Sequence, residues 1–587
     1  MSYLNGPRLV FAGRFQADVS TVNNTRDNFN VKLPPNQRDP AWNPSGTGVF
    51  RLVSCTVTAG VYADGSIAAA DPAIGMALGD GGPRPPGKLV DLDTDQQGCS
   101  QIWGWRVHVG KSGEPPTIAG EFEVAAFSDL WVRAAGDLRA DGRFGAFWQS
   151  VLTGVAWGDP RGSRLVSELR NASAAGLLSI RFNTDGYLDN EEANDSNNPQ
   201  FTSGRIVGAI GPAFAAEPHS FVRGRQCFPV QTDSTGNPII AWFPATIDQA
   251  RGKIVADFGN AFRTDGVGGP PIPVPGLTLG FVDAQNKFTP LGPANIGDET
   301  WYQTTAGICE APAGRLLTAA ELSALATSPV AAAIPDGGGG WTVVSQEGSD
   351  GLHVRADGFV FRMSPGGTQD VELWASKFGK PLAGAQIDLA VGPVPGNPPL
   401  PPPSDKALIV AAQAIADQNG LAKISLSATN PGNPRVFIDG QVYGVSYSLA
   451  ASANAATPYQ DPFDFVSVLL WGGFEAPDAP TWWGDIYPIL VQYADLYPVM
   501  KPIVDLSDYA SVVRNKRGLS SAMSLPPTNS NYMPVTRDLS PAKRATILKW
   551  LAADTPAEGE KPSPAVIAAL EESGKARAFR AISRRST

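Results

Sequence analysis

Three aspartates alternate in the run VDLDTDQ: Asp91, Asp93 and Asp95. Alternate residues of a strand share one face, so three carboxylates could converge there on a hard cation such as calcium. Gln96 stands where an EF-hand loop places its glycine, and the run reads equally as a solvated strand end. A second acidic group, Asp185, Asp189, Glu191, Glu192 and Asp195, falls in the polar stretch DGYLDNEEANDSNNP. Functional carboxylate pairs need burial or a partner to shift their pKa values, and a polar loop offers neither, so this group is expected in solvent. His353, Arg355 and Asp357 share a face if GLHVRADGFVF is a strand. Together they form a weak acid–base candidate, because histidine titrates near neutrality. A histidine hydrogen-bonded within a sheet is the plainer reading.

No G-x-S-x-G elbow and no H-E-x-x-H motif is present. The run DGGGGW, Asp336 to Trp341, lacks the Lys-Ser/Thr ending of a phosphate loop and is read as a flexible joint. No catalytic residue is assigned. The residues that invite contact rather than chemistry lie further on. Trp482 and Trp483 follow a Gly/Pro-rich approach, and tryptophan anchors both cores and interfaces. Tyr532, Met533, Arg537 and Asp538 surround Pro534, which holds Met533 extended. Arg537 can make forked hydrogen bonds. These six residues either dock a partner or clamp one part of the chain to another.

The elements that must carry these residues are mostly strands. Residues 1–265 are expected to be β-rich: PRLVFAGRFQADVS places Leu9, Phe11 and Phe15 on one face, and short apolar runs recur between Gly, Pro, Asn and Asp. Two stretches, WQSVLTGVAWG and SRLVSELRNASA, are read as surface helices. Residues 266–365 continue as a second β-rich unit with one short helix capped by Thr318. Residues 366–450 are expected to form an immunoglobulin-like sandwich, with turns at Phe378-Gly379-Lys380-Pro381 and Asn419-Gly420. The Pro-dense VGPVPGNPPLPPPS inside it is read as a stiff loop. Residues 455–555 turn helical: Trp483, Ile486, Leu490, Ala494 and Tyr497 keep helical spacing, and Pro488 kinks that helix unless it lies in the first turn. Ser540 and Pro541 then mark a helix start, with Ile547, Leu548 and Leu551 on one face. Residues 556–587 are a linker and a basic tail helix. The fold class is therefore mainly β: a large sandwich- or barrel-like region, an immunoglobulin-like sandwich and a small C-terminal helical region.

Composition sets outer bounds. At about 150 residues per domain, 587 residues hold three or four domains. A hydrophobic share of 43% against 17% charged is that of a core-forming chain. The net charge of −10 argues against nucleic acid as a partner, which needs a basic face. No apolar run reaches about eighteen residues, so no membrane span is expected. The four cysteines, Cys55, Cys99, Cys227 and Cys309, form no CxxC pair and are expected to be reduced and buried. The expected location is the cytoplasm.

The stretch NYMPVTRDLSPAKRATILKWL, residues 531–551, resembles the joint between the two halves of the imine dimer synthases of the violacein and rebeccamycin pathways (iminophenyl-pyruvate dimer synthase and chromopyrrolate synthase). GPRLVFAGRFQADVSTVNN, KLVDLDTDQQGCSQIWGWRV, SNNPQFTSGRIVGAIGP, DGLHVRADGFVFRM and YPILVQYADLYPVMKPIVDL resemble further blocks of the β-rich half, in order. The resemblance implies that half without the ferritin-like, iron-binding half. It implies no cofactor in this chain, iron in a separate ferritin-like partner, and a non-catalytic or partner-dependent role in secondary metabolism. Di-iron bundles use Glu-x-x-His motifs; the chain has three histidines and no such motif, so no metal ligand carries over. Two other readings stay open: a free-standing β-sandwich binding or scaffold protein, and an independent enzyme whose carboxylates meet only in three dimensions.

Overall fold

Along the first strand, Arg8–Ala17, apolar side chains point both ways. Leu9, Phe11 and Phe15 enter one core, as their alternation predicts, while Val10 and Ala12 enter another. Both faces are covered, and the strand ties two bodies together. The computed structural model describes residues 3–18, 46–80, 85–92, 99–135, 143–186, 203–392, 406–432, 439–450 and 464–567. Asp93, Asp95, most of the acidic loop, the Pro-dense insert and the basic tail lie outside them.

The first body is a closed barrel. Arg8–Ala17 pairs with Ser203–Pro212, then in turn follow Leu178–Asp185, Phe144–Trp157, Ile118–Phe122, Arg106–Gly110, Ala77–Gly79 and Val49–Val61, which pairs back to the first strand. Its interior is filled: Phe50, Trp105, Phe122, Trp148 and Phe182 stack or meet edge to face with centroids 5.1–6.3 Å apart. Each such ring contributes about 1.5–3 kcal/mol on burial. WQSVLTGVAWG is therefore strand, not helix. Its apolar run is nearly continuous because both faces of Phe144–Trp157 are largely covered, which erases the alternation that marks a half-exposed strand. SRLVSELRNASA does form a helix, Arg164–Ala172, with Ser163 as N-cap.

The second body is an eight-stranded antiparallel sheet spanning Arg225–Pro229 to Trp341–Glu347. The expected boundary at 265 falls inside it, because Lys253–Asp257 pairs with Ile308–Ala311, and Arg225–Pro229 with Trp341–Glu347. DGGGGW is not a joint between units. It is the hairpin loop between Val330–Pro335 and Trp341–Glu347, where Asp336 accepts from the Gly338 and Gly340 amides at 2.8 Å. Thr318 caps its short helix, Ala319–Leu325, in a box closed by Glu321.

The third body is an immunoglobulin-like sandwich of two five-stranded sheets. It extends beyond 366–450, taking in Leu352–Asp357 and Val360–Met363 before it and Phe465–Leu470 after it; the last two pair in parallel. The Asn419-Gly420 turn does not close a hairpin ladder. It carries the chain from Gln413–Ile415 in one sheet to Leu421–Ala428 in the other. Gly420 is needed there: its φ is +75°, and a Cβ would lie 2.3 Å from the Ala375 carbonyl.

The helical unit begins with a π-turn, Trp482–Ile486, running into the helix Tyr487–Leu496. Pro488 lies in that helix's first turn, where its missing N–H costs nothing. The wider π-turn shifts the phase, so Trp482 rather than Trp483 enters the core. Trp482 is fully buried against Tyr487, Tyr509 and Trp550. The helix Pro541–Leu551 starts on Ser540, whose hydroxyl accepts from the Lys543 amide, and buries Ile547, Trp550 and Leu551. Among the described residues no helix is long and apolar enough to cross a membrane.

Trp482→Ala should cost the helical unit about 3–5 kcal/mol, and Ser540→Ala about 1 kcal/mol. Amide exchange across Tyr487–Leu496 and Pro541–Leu551 measures both; the barrel amides should keep their protection.

Candidate functional site

Residues 526–540 form a strap that leaves the helical unit, crosses the barrel and returns. Gly104, at φ +62°, makes the crossing feasible: a Cβ there would lie 2.7 Å from the Ser530 nitrogen. Arg537 sits in the left-handed region at φ 55° and is 3% exposed. Its guanidinium folds the strap around itself, donating to the carbonyls of Pro527 at 3.1 Å, Asn529 at 2.8 Å and Val535. Behind it, Asp538 accepts from the Thr536 hydroxyl at 2.6 Å and the Tyr493 hydroxyl at 3.2 Å, while its carbonyl accepts from the Trp471 indole at 2.8 Å. Trp471 follows the last sandwich strand, so this end of the strap joins the helical unit to the sandwich.

The outer side of the strap borders a cleft of about 280 Å³. Arg362 comes from the sandwich, Trp103 from the barrel, Tyr532 and Arg537 from the strap, and Arg544 from the helix Pro541–Leu551. The guanidinium carbons of Arg362 and Arg537 lie 5.5 and 5.6 Å from the Trp103 ring, and those of Arg537 and Arg544 lie 5.5 and 5.4 Å from the Tyr532 ring. Such stacking is characteristic of arginine. Arg544 also donates to the Tyr532 hydroxyl at 3.3 Å. Burial, and then the charge of Arg362, push Arg537 down to about 9. Burial, and then Arg537, push Lys88 down to about 8. Burial raises Asp538 and favours its neutral form. The region is thus rich in positive charge, and the structure brings Tyr532, Arg537 and Asp538 together as the sequence grouped them. Met533 instead turns toward the helical core. Trp482 and Trp483 lie apart: Trp482 is a core anchor, and Trp483 stacks near Lys561 of the same chain, 5.2 Å from its ring centroid.

The other candidates are structural. Arg355 binds Asp129 of the barrel at 3.3 Å and Asp464 at 3.1 Å. Burial raises Asp464 to about 6. Asp357 accepts from the amides of His219 at 2.9 Å and Ser220 at 2.8 Å. His353 is pushed down to about 3 by burial, then by Arg355, so its ring is neutral. The three residues do leave one strand, but Arg355 and Asp357 are used in seating the sandwich, and an imidazole kept neutral this far down is a poor proton shuttle. Asp91 lies beyond the end of the strand Gly87–Val90 and accepts from the Ser100 hydroxyl. Asp93 and Asp95 are outside the described residues. Among the described residues no His, Cys, Asp and Glu side chains cluster to hold a metal. Asp185 is not in solvent: it is 4% exposed and held between Arg133 at 2.5 Å and Arg205 at 2.8 Å. Asp189, Glu191, Glu192 and Asp195 lie outside the described residues. Cys55, Cys99 and Cys227 are buried and Cys309 partly so; burial raises the Cys55 and Cys309 thiols to about 12.

Sequence reasoning missed Arg362 and Arg544 as members of the cleft. The available signal is a lone arginine in each of two short segments, the apolar FVFRM and the helix start PAKRATILKWL.

No family model matches the chain, and no curated protein matches it. Solved structures with similarity include the D0-D1 domain of intimin (13% identity, 38% of this chain and 94% of that one, TM-score 0.16). Domains 4 and 5 of the S-layer protein SbsC (8%, 42% and 97%, 0.14) and the Yersinia pseudotuberculosis adhesin InvE (14%, 39% and 57%, 0.15) are others. Scores of this size carry no argument about function; the immunoglobulin-like character of the third body rests on its own two-sheet topology.

The histidines give a test of opposite signs. The hydrogen bond that the His219 Nδ1–H donates to the Glu123 carboxylate at 2.8 Å raises His219. Its stabilisation is therefore full below about pH 6.5 and lost as pH rises through the higher folded value. His353 is lowered, so it opposes folding as pH falls below about 6.5 toward 3. Imidazole NMR should show His219 titrating above about 6.5 and His353 still neutral at about pH 5; a His353 that titrates near 6.5 contradicts its placement.

Proposed function

We propose that the chain is a partner-dependent, not independently catalytic component similar to the β-rich half of the imine dimer synthases. A separate ferritin-like protein supplies the iron centre, in secondary metabolism. The observation that supports this reading is the placement of residues 531–551, the stretch most like the joint between the family's two halves. They form the seam where barrel, sandwich and helical unit meet, and they border an open cationic cleft. A component that holds and shapes a partner's site needs such a seam at the point where the partner's chain departs in the family.

A second reading, a free-standing binding protein on a β scaffold, draws on the same cleft without a partner. The third, an enzyme with converging carboxylates, finds its best pair in Asp129 and Asp464. They flank the Arg355 guanidinium, which consumes them as counter-ions. Co-expression with a ferritin-like protein encoded beside this chain separates these. The expected outcome is one co-eluting complex with iron in proportion to the partner. A chain that elutes alone beside that protein removes the first reading, and turnover by the isolated chain with its own stoichiometric iron removes both binding readings.

A further inference from the structure

We propose that Lys88 is a carbamylation site: its amine takes up carbon dioxide, and the carbamate pairs with Arg537 of the strap. This is independent of the partner-dependent reading, because it concerns a covalent change to this chain alone.

The placement comes from the outer wall of the barrel. Along Gly87–Val90, Leu89 enters the barrel core and Lys88 faces the other way. The ladder sets Lys88 opposite Trp103, so the two side chains stand side by side on that outer face. The strap meets the same ring, with the Arg537 guanidinium carbon 5.6 Å from its centroid. A lysine, a tryptophan and an arginine thus follow one another across the seam between barrel and strap. The Lys88 Nζ is anchored there by the Thr47 carbonyl, which accepts from it at 2.8 Å. The residue is half-buried, open enough for a three-atom molecule to reach the amine.

The charges favour the change. Two charged groups act on Lys88: Arg537 from the strap, and Asp18 just past the first strand. Asp18 is turned to the Thr47 amide at 2.9 Å and the Thr47 hydroxyl at 2.6 Å. Arg537 gives three donors to backbone carbonyls, and a guanidinium carries five N–H groups. Two cations therefore share this stretch of the seam, and among the described residues neither is ion-paired to a carboxylate. A carbamate turns one of them into a planar, two-oxygen anion, the acceptor that a guanidinium fits best. Burial and Arg537 already hold the amine near a pKa of about 8. About half of it is then neutral at about pH 8, against about 0.4% for an ordinary lysine near ~10.4. The neutral amine is the reacting form. Its nitrogen lone pair makes the C–N bond to carbon dioxide, one C=O π pair moves onto oxygen, and the nitrogen proton passes to water.

The test is carbon NMR of the full chain equilibrated with isotope-labelled bicarbonate at about pH 8.5. A lysine carbamate resonance is expected, beside that of the α-amino group, whose pKa also lies near ~8. Lys88→Met should remove the lysine resonance and leave the other. Arg537→Gln should lower carbamate occupancy about tenfold at limiting bicarbonate, the scale of one pKa unit. Competitive acetylation of the parent chain across pH, read peptide by peptide, needs no variant: Lys88 should titrate near about 8. A parent without a lysine carbamate, a lysine resonance that survives Lys88→Met, or a Lys88 that titrates near ~10.4 overturns the site.

Discussion

A guanidinium buried on one body, with its carboxylate on the next, is the constraint on which the arrangement of this chain depends. Arg181 leaves the barrel strand Leu178–Asp185 and binds Asp257 of the second body; both side chains are fully buried, and Tyr3 donates to the same carboxylate at 2.8 Å. Arg133 reaches Asp185 and the Phe262 carbonyl, and Arg205 spans Asp185 and Glu299. Desolvating such charges costs several kcal/mol per ion, recovered only where geometry and extra hydrogen bonds are good. Misplaced bodies would strand the buried Arg181–Asp257 charges, so this pair tolerates one relative placement, while Asp185 holds Arg133 and Arg205 within the barrel for their contacts across to Phe262 and Glu299. The pairs act mainly on orientation, with the apolar strand Arg8–Ala17 supplying the shared burial.

That placement decides where open space is left. The barrel interior is filled by its own aromatic rings, so the barrel is not a container. Space of about 280 Å³ is left where barrel, sandwich and helical unit meet, along the strap. There the same residue type serves both purposes: Arg355 is spent on Asp129 and Asp464, whereas Arg537 is spent on carbonyls and keeps its charge unmatched by a carboxylate among the described residues.

Much of this was legible in the sequence. Alternation in Arg8–Ala17, the cap at Thr318, the cap at Ser540 with Pro541 behind it, and the mainly β class follow from local rules, and local rules act within a few residues. What failed was set by tertiary context. Phe144–Trp157 lost its alternation because both faces are covered. Asn419-Gly420 makes the turn that was read from it, yet which sheet each flanking strand joins is fixed by distant pairing. Asp185 reads as the start of a polar loop because its arginines come from positions 133 and 205. The cleft was half legible: Tyr532 and Arg537 stand in one short segment, but Arg362 and Trp103 reach it only through the fold.

A double-mutant cycle on Arg181 and Asp257 tests most directly whether buried ion pairs fix the frame. Arg181→Met and Asp257→Leu should each cost about 3–5 kcal/mol by urea unfolding, since each strands one buried charge, and the double variant should recover much of that loss. Losses that add to within about 0.5 kcal/mol would show the two residues to be independent and would contradict the account.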